Sequence, residues 1–185
     1  MITRIGTASY GRRTVVEQLK PQHGGFLRPF GCGWFIREYL LGKSPFDSQT
    51  INPKVGAPQS DIFQQYKMAI IKATALDRAT RAEEKKAKKE RRSIDPDNIE
   101  QLAEIYETRL PYKANTCRYH SFVIYFSNLQ RLGWVEFTGR EEPSEFQAHY
   151  AKGQPKRYFR LTAVGEKASD TGWANPLGAL YEKKS

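Results

Sequence analysis

The fold of this chain is decided by two stretches, LGWVEFTG at residues 132–139 and RYFRLTAVGEKA at residues 157–168. In both stretches apolar and polar residues alternate, which predicts strands near 134–138 and 157–162. Gly133 stands directly before the first strand, where it is expected to end a preceding helix as a C-cap. The residues between the strands are mostly polar, so the two stretches are predicted to form a hairpin with a long loop.

Two helices are predicted before this hairpin. Asp95 followed by Pro96 is a signal for a helix start, and Pro111 is expected to end that helix. Its apolar face is formed by Ile99, Leu102, Ala103, Tyr106 and Leu110. The second helix is predicted from about residue 115 to Leu132. Its buried stripe consists of Tyr119, Phe122, Val123, Phe126 and Leu129.

This order of elements resembles the C-terminal part of winged helix-turn-helix proteins of the PadR-like and MarR-like kind. The resemblance rests on Leu132-Gly133-Trp134-Val135 and on Phe159-Arg160-Leu161-Thr162-Ala163-Val164-Gly165. It covers about residues 95–168, less than half of the chain, and indicates the superfamily rather than one family. It implies that helix 115–132 enters the major groove of DNA and that the hairpin touches the neighbouring backbone.

The predicted fold class is therefore mainly α with a small β-hairpin wing (α+β), a winged helix-turn-helix plus an N-terminal helical extension. Residues 1–59 are predicted to be a loop-rich extension, with a short helix over 34–41 and Gly42 as its C-cap. A long helix is predicted from Ser60, an N-cap residue. The winged helix is assigned to residues 93–168 and a C-terminal tail to residues 169–185.

The predicted long helix, residues 60–92, changes character along its length. Its apolar stripe consists of Ile62, Phe63, Tyr66, Ala69, Ile70, Ala73 and Leu76. Residues 78–92, RATRAEEKKAKKERR, favour a helix but show no apolar face, so they are expected either to project into solvent or to form a charged linker. They are interpreted either as a nonspecific phosphate clamp or as a solvated helix balanced by Glu83, Glu84 and Glu90.

The net charge of +10 lies entirely before residue 93, with +5 in residues 1–60, +5 in residues 61–92 and zero beyond. Such a charge favours a phosphate-bearing partner. No apolar run is long enough to span a bilayer, and the N-terminus lacks the apolar core of a signal peptide, so no membrane partner and a cytoplasmic location are expected. Cys32 and Cys117 are expected to be free thiols, and neither a metal site nor a cofactor is predicted.

The expected nucleic-acid contacts lie on the second helix and the wing. On the helix they are Lys113 and Asn115 near its start, Ser121, Asn128 and Arg131 on its exposed side, and Arg118 and Tyr125 at its edge. In the wing they are Lys152, Lys156 and Arg157. Asn and Arg side chains can read base edges, and Lys side chains can contact phosphate.

The predicted function is DNA binding without catalysis, in a regulatory or DNA-processing role. The alternative is a winged-helix subunit that docks onto protein, favoured by Ile124 on the exposed side and by Glu141, Glu142 and Glu145 in the wing. An RNA-binding accessory protein is a third class, and helix 60–92 is a candidate homodimer contact. Gly42-Lys43-Ser44 imitates a phosphate-binding loop, but Arg37 replaces the glycine that such a loop needs, so no enzyme is predicted.

Overall fold

The computed structural model describes residues 30–110, 118–144 and 154–182. This part of the chain is mainly helical and contains a small three-stranded antiparallel sheet, which agrees with the predicted α+β class. In chain order the elements are α1 (Cys32–Leu40), a 3-10 turn (Pro45–Asp47), β1 (Ala57–Pro58), α2 (Gln59–Glu90), α3 (Pro96–Arg109), α4 (Tyr119–Arg131), β2 (Val135–Glu142), β3 (Lys156–Leu161), α5 (Ala163–Lys167), α6 (Asp170–Ala174) and α7 (Pro176–Glu182).

The chain forms two compact units, and each of them is built from separate stretches of sequence. We call residues 32–66, 118–144 and 154–182 the sheet unit, and residues 30–31 and 67–110 the helical unit. These boundaries differ from the predicted ones near residues 60, 93 and 168. In particular, α3 and α4, which were predicted to be the two helices of one helix-turn-helix, belong to different units.

Helices α1 and α4 both end at a glycine with left-handed backbone. Gly42 has a φ of 75° and Gly133 a φ of 73°. The amide of Gly133 donates to the Gln130 carbonyl at 2.9 Å, and the next amide donates to the Leu129 carbonyl at 3.0 Å. After α1 the amide of Gly42 donates to the Tyr39 carbonyl at 2.9 Å, and the amide of Lys43 donates to the Glu38 carbonyl at 3.1 Å. This double pattern satisfies the last free carbonyls of a helix, and it confirms both predicted C-caps.

The sheet has β3 at its centre, between β1 and β2. On the β2 side Val135 pairs with Leu161 and Phe137 with Phe159, and the register then shifts before Glu141. The hairpin is confirmed, but β2 continues to Glu142, four residues further than predicted. Strand β1 was not predicted, because two residues that include a proline carry no alternating pattern.

The core of the sheet unit is rich in aromatic rings. The rings of Phe35, Tyr66, Phe122, Phe126 and Phe159 form a chain of neighbours with centroids 5.1–6.3 Å apart. Trp134 and Phe159 are each 7% exposed, so their predicted burial is confirmed. The helix that precedes them begins at Tyr119, with Arg118 as its N-cap, whereas the predicted start near residue 115 lies outside the described residues. Tyr119 is 46% exposed instead of buried.

Residues 163–182 form three short helices that pack into the sheet unit, and the last two of them lie in the predicted C-terminal tail, residues 169–185. Trp173 in α6 is completely buried, and its indole Nε1 donates to the Gly165 carbonyl at 3.0 Å. Thr162 caps α5 by accepting a hydrogen bond from the Gly165 amide at 3.0 Å. The C-terminal residues therefore complete the core that the strands begin.

In the helical unit, α2 remains a helix to Glu90, so the charged segment is not a linker. This segment, predicted to have no apolar face, does have a buried face, because Ala79, Glu83 and Ala87 follow one another at four-residue intervals and are all buried. The start of α2 is corrected too. The helix begins at Gln59, and the Ser60 hydroxyl bonds to Asp61 instead of capping the helix.

Helix α3 begins as its sequence predicts, with Asp95 as N-cap and Pro96 as the first helical residue. The Asp95 side chain accepts a hydrogen bond from the amide of Asp97 at 3.0 Å. Only Ile99 of the predicted apolar face is fully buried in α3. The remaining members of that face, Leu102, Ala103, Tyr106 and Leu110, are half-buried.

Candidate nucleic-acid interface

The exposed face of α4 is set by the position of its core residues. Phe122, Phe126 and Leu129 are buried. Each residue of an α-helix is rotated by about 100° from the last, so the side of α4 opposite these residues is a stripe of residues spaced by three or four. That stripe consists of His120, Ile124, Ser127 and Arg131, all of which are exposed. Helix α4 contains no acidic residue, so this face can approach phosphate without repulsion.

The predicted helix residues occupy different parts of this surface. Arg118, Ser121 and Arg131 are exposed, whereas Asn128 is half-buried at the margin of the face. Tyr125 is half-buried, and its hydroxyl donates to the Trp173 carbonyl at 3.4 Å, which turns it toward α6. Lys113 and Asn115 lie outside the described residues.

Ser127 belongs to the exposed stripe but was not among the predicted contacts. The signal for it was in the sequence, since Ser127 follows His120 by seven residues and precedes Arg131 by four. Two residues so spaced share one side of a helix. Ile124 also lies at the centre of this face, as expected, and its exposure of 53% is high for a large apolar side chain.

The hairpin carries a set of ion pairs between its two strands. The Arg157 Nε donates to Glu141 Oε1 at 2.7 Å, and the Arg160 Nε donates to Glu136 Oε1 at 2.8 Å. All four side chains are about half exposed. Exposed pairs of this kind contribute at most about 1 kcal/mol, so a phosphate could replace the carboxylate at small cost.

The tip of β2 adds a third cluster. Arg140 donates to Glu142 and lies over the Tyr158 ring, 4.5 Å from the ring centroid. The bond from Arg140, followed by that from the Tyr158 hydroxyl at 2.8 Å, holds the pKa of Glu142 below its ordinary value. Glu142 therefore stays charged in mildly acidic solution and continues to neutralise Arg140.

The other predicted wing residues contribute less free charge than expected. Lys156 lies with its Nζ 4.0 Å from Asp61 Oδ1, at the start of α2. Lys152 is outside the described residues. Among the wing residues that the structure describes, Arg157, Arg160 and Lys156 thus each face a carboxylate. The α4 face, and not the hairpin, is the less compensated part of this surface.

Within residues 30–110, 118–144 and 154–182, no group of three or more His, Cys, Asp or Glu side chains is placed to hold a metal ion. No helix in these ranges combines the length and apolar character needed to cross a bilayer. Comparison with family models, with curated proteins and with solved structures gives no match for this chain.

Proposed function

We propose that the sheet unit binds duplex DNA as a winged helix in which the helical unit is inserted between the two helices of the helix-turn-helix. The order of elements within the sheet unit carries this proposal: α1, β1, the start of α2, then α4, β2 and β3. In a winged helix a short strand precedes the helix-turn-helix and pairs with the last strand of the wing. The pairing of β1 with β3 supports the same arrangement here.

In this arrangement the first helix of the helix-turn-helix is formed by the first turns of α2, and not by α3. The second helix, which would read the bases, is α4. Phe63 and Tyr66 in the first turns of α2 contact Phe122 in α4, with ring centroids 5.2 and 6.3 Å apart. The reading helix itself remains the one that the sequence indicated. Its polar face would meet base edges in the major groove, and the hairpin would meet the adjacent backbone.

The chemistry of the α4 face suits this role. Arg131 can make paired hydrogen bonds to guanine, and the serine hydroxyls of Ser121 and Ser127 can donate or accept. Arg118, the N-cap residue of α4, is exposed and suited to a phosphate contact. An apolar side chain such as Ile124 fits beside the methyl group of thymine.

The proposal is tested by selecting a preferred duplex from a random pool and comparing its affinity with that of a scrambled duplex. We expect Arg131→Ala to weaken binding to the preferred duplex by about 1–3 kcal/mol, with a smaller loss on the scrambled one. Arg109→Ala is the matched control, since Arg109 is likewise the exposed last residue of a helix but belongs to the helical unit. Equal effects of the two substitutions, or no preferred duplex at all, would contradict the proposal.

Protein docking is the second candidate, and the exposure of Ile124 together with the neutralised hairpin favours it. The two functions differ in what Ile124→Ala does. A DNA-reading helix should change its base preference at one position of the selected duplex. If α4 instead docks onto protein, no preferred duplex should be selected, and Ile124→Ala should leave the weak, salt-sensitive binding to any DNA unchanged.

A further inference from the structure

The second half of α2 carries a row of basic side chains on the side opposite its buried face. The row consists of Arg78, Arg81, Lys85, Lys88 and Lys89, and all five are exposed. The first four are spaced by three or four residues and Lys89 follows directly, which places them along one side of the helix, whereas Ala79, Glu83 and Ala87 occupy the buried side. We call these five residues the basic stripe.

Two of the acidic residues near the stripe, Glu83 and Glu90, are occupied elsewhere. Glu83 is fully buried and accepts hydrogen bonds from the Arg92 guanidinium, the Asp95 amide and the Asn98 side chain. Glu90 pairs with the same Arg92 at 2.7 Å. From the sequence Glu83 and Glu90 were expected to balance the lysines, but both carboxylates bind Arg92 instead.

The lysines of the stripe are not held in ion pairs by any described residue. Lys85, Lys88 and Lys89 form no ion pair within the described part of the chain, whereas Arg81 pairs with Asp77 at 3.0 Å. Favourable interaction of cations with a helix C-terminus is confined to the last turn and can account for Lys88 and Lys89 only. It does not explain a stripe that extends three turns along the helix.

We propose that the basic stripe binds the phosphate backbone of a nucleic-acid duplex without regard to sequence. From Arg78 to Lys89 the stripe is about 16 Å long at a rise of about 1.5 Å per residue. Duplex DNA carries one negative charge per about 1.7 Å of its axis, so a straight row of cations of this length meets several phosphates. The inference rests on the proposed function only for the choice of duplex as ligand.

An anionic membrane is a less suitable partner for this helix. Amphipathic membrane helices insert a face of Trp, Phe or Leu side chains below the headgroups. Here the face opposite the stripe consists of small residues and Glu83, which are buried. No large apolar side chain is exposed between residues 78 and 92, so the stripe offers charge without an insertable surface.

The test compares two triple substitutions that remove the same charge. One variant carries Lys85→Gln, Lys88→Gln and Lys89→Gln, and the control carries Lys43→Gln, Lys54→Gln and Lys167→Gln in the sheet unit. The dissociation constant for random-sequence duplex DNA is measured over a range of salt concentrations. We expect the stripe variant to lower the salt slope by two to three units, at about 0.9 per lost phosphate contact, and the control by less than about one.

A charge-conserving variant shows whether the positive charge of these residues accounts for the effect. Lys85→Arg, Lys88→Arg and Lys89→Arg together should keep the slope, and far-UV circular dichroism should show that all variants keep their helix content. Equal losses in the stripe variant and the control, or an unchanged slope, would overturn the inference. The inference would also be overturned if the stripe variant lost binding to vesicles of phosphatidylserine and phosphatidylcholine but still bound DNA like the wild type.

The outcomes separate this inference from the proposed function. If no sequence is preferred and Arg131→Ala has no effect, the winged-helix proposal fails. The stripe inference still holds if its triple variant flattens the salt slope under the same conditions. If a preferred duplex is found and the stripe variant binds it like the wild type at every salt concentration, the winged-helix proposal holds and the stripe inference fails.

Discussion

The indole rings of Trp134 and Trp173 lie 5.0 Å apart between centroids, with their planes inclined by 41°. Trp134 follows the C-cap of α4, and Trp173 is in α6, so this contact joins the start of the hairpin to the C-terminal helices. Gly172 lies under the Trp134 ring, where an added Cβ would be 3.0 Å from its edge. The C-terminal segment therefore supports the position of α4 and β2.

Removing either indole should destabilise the sheet unit. We expect Trp134→Ala and Trp173→Ala each to lower the free energy of unfolding by about 3–5 kcal/mol, because each leaves a large cavity in the core. Tyr181→Ala is the control, since Tyr181 is 66% exposed, and it should change stability by less than about 0.5 kcal/mol. Urea unfolding followed by far-UV circular dichroism measures this. An unchanged transition for Trp173→Ala would show that residues 163–182 are not part of the core.

Two glycines should respond differently to alanine. A Cβ at Gly165 would lie 2.2 Å from the Trp134 carbonyl oxygen, a backbone atom that cannot move cheaply. A Cβ at Gly133 would meet nothing within 4 Å, so Gly133→Ala costs only the left-handed backbone, about 1–2 kcal/mol. We expect Gly165→Ala to lower the melting temperature more than Gly133→Ala does. The reverse order would mean that α5 does not pack against Trp134 as described.

The buried Glu83 should make the helical unit sensitive to acid. Its hydrogen bonds, first from Arg92 and then from the Asp95 amide, lower its pKa from 4.5 to about 2. A carboxylate with a lowered pKa stabilises the folded state above its unfolded pKa, and this contribution is lost as the pH falls through the folded value. The loss should therefore occur between about pH 5 and pH 2.

The variant Glu83→Gln checks this dependence. It should be less stable than the wild type at pH 7, and its stability should fall less as the pH decreases over the same range. Glu84→Gln, at an exposed neighbouring position, should retain the wild-type profile. Identical pH profiles of the wild type and Glu83→Gln would contradict the ion pair with Arg92.

The cross-strand pairs of the hairpin should limit DNA binding. In Glu141→Gln the Arg157 guanidinium loses its carboxylate partner and becomes available to phosphate. We expect tighter binding to duplex DNA and a salt slope larger by up to about 0.9. Glu182→Gln removes the same charge from the exposed end of α7 and should have little effect. If both variants tighten binding equally, only net charge matters and the hairpin is not at the interface.

Much of the local structure could be predicted from the sequence. Gly42, Gly133 and Asp95 sit where helix ends need a left-handed residue or a side-chain acceptor, and these requirements are met by neighbours in the chain. The alternation around Trp134 and Phe159 likewise identified the hairpin and two core residues. Each of these features depends on a few consecutive residues.

The candidate site could be predicted only in part. The spacing of the apolar residues in α4 predicts that one side of this helix is exposed and polar, and it identifies Arg131 and Ser121 as exposed. The orientation of Tyr125 toward Trp173 and the pairing of Arg157 with Glu141 did not follow from it. Those contacts depend on residues 16 to 48 positions away, which a local pattern does not report.

The sequence by itself determined the start of α3 at Asp95, the glycines that end α1 and α4, which strands form the hairpin, and that the excess positive charge precedes residue 93. Only the tertiary structure decided which helices belong together, that β1 pairs with β3, and that Glu83 is buried within a basic segment. Caps and periodicity are satisfied within one or two turns of chain. Grouping, edge pairing and the burial of a charge depend on distant partners, so a run such as EEKKAKKE has the same local pattern whether or not one of its carboxylates is enclosed.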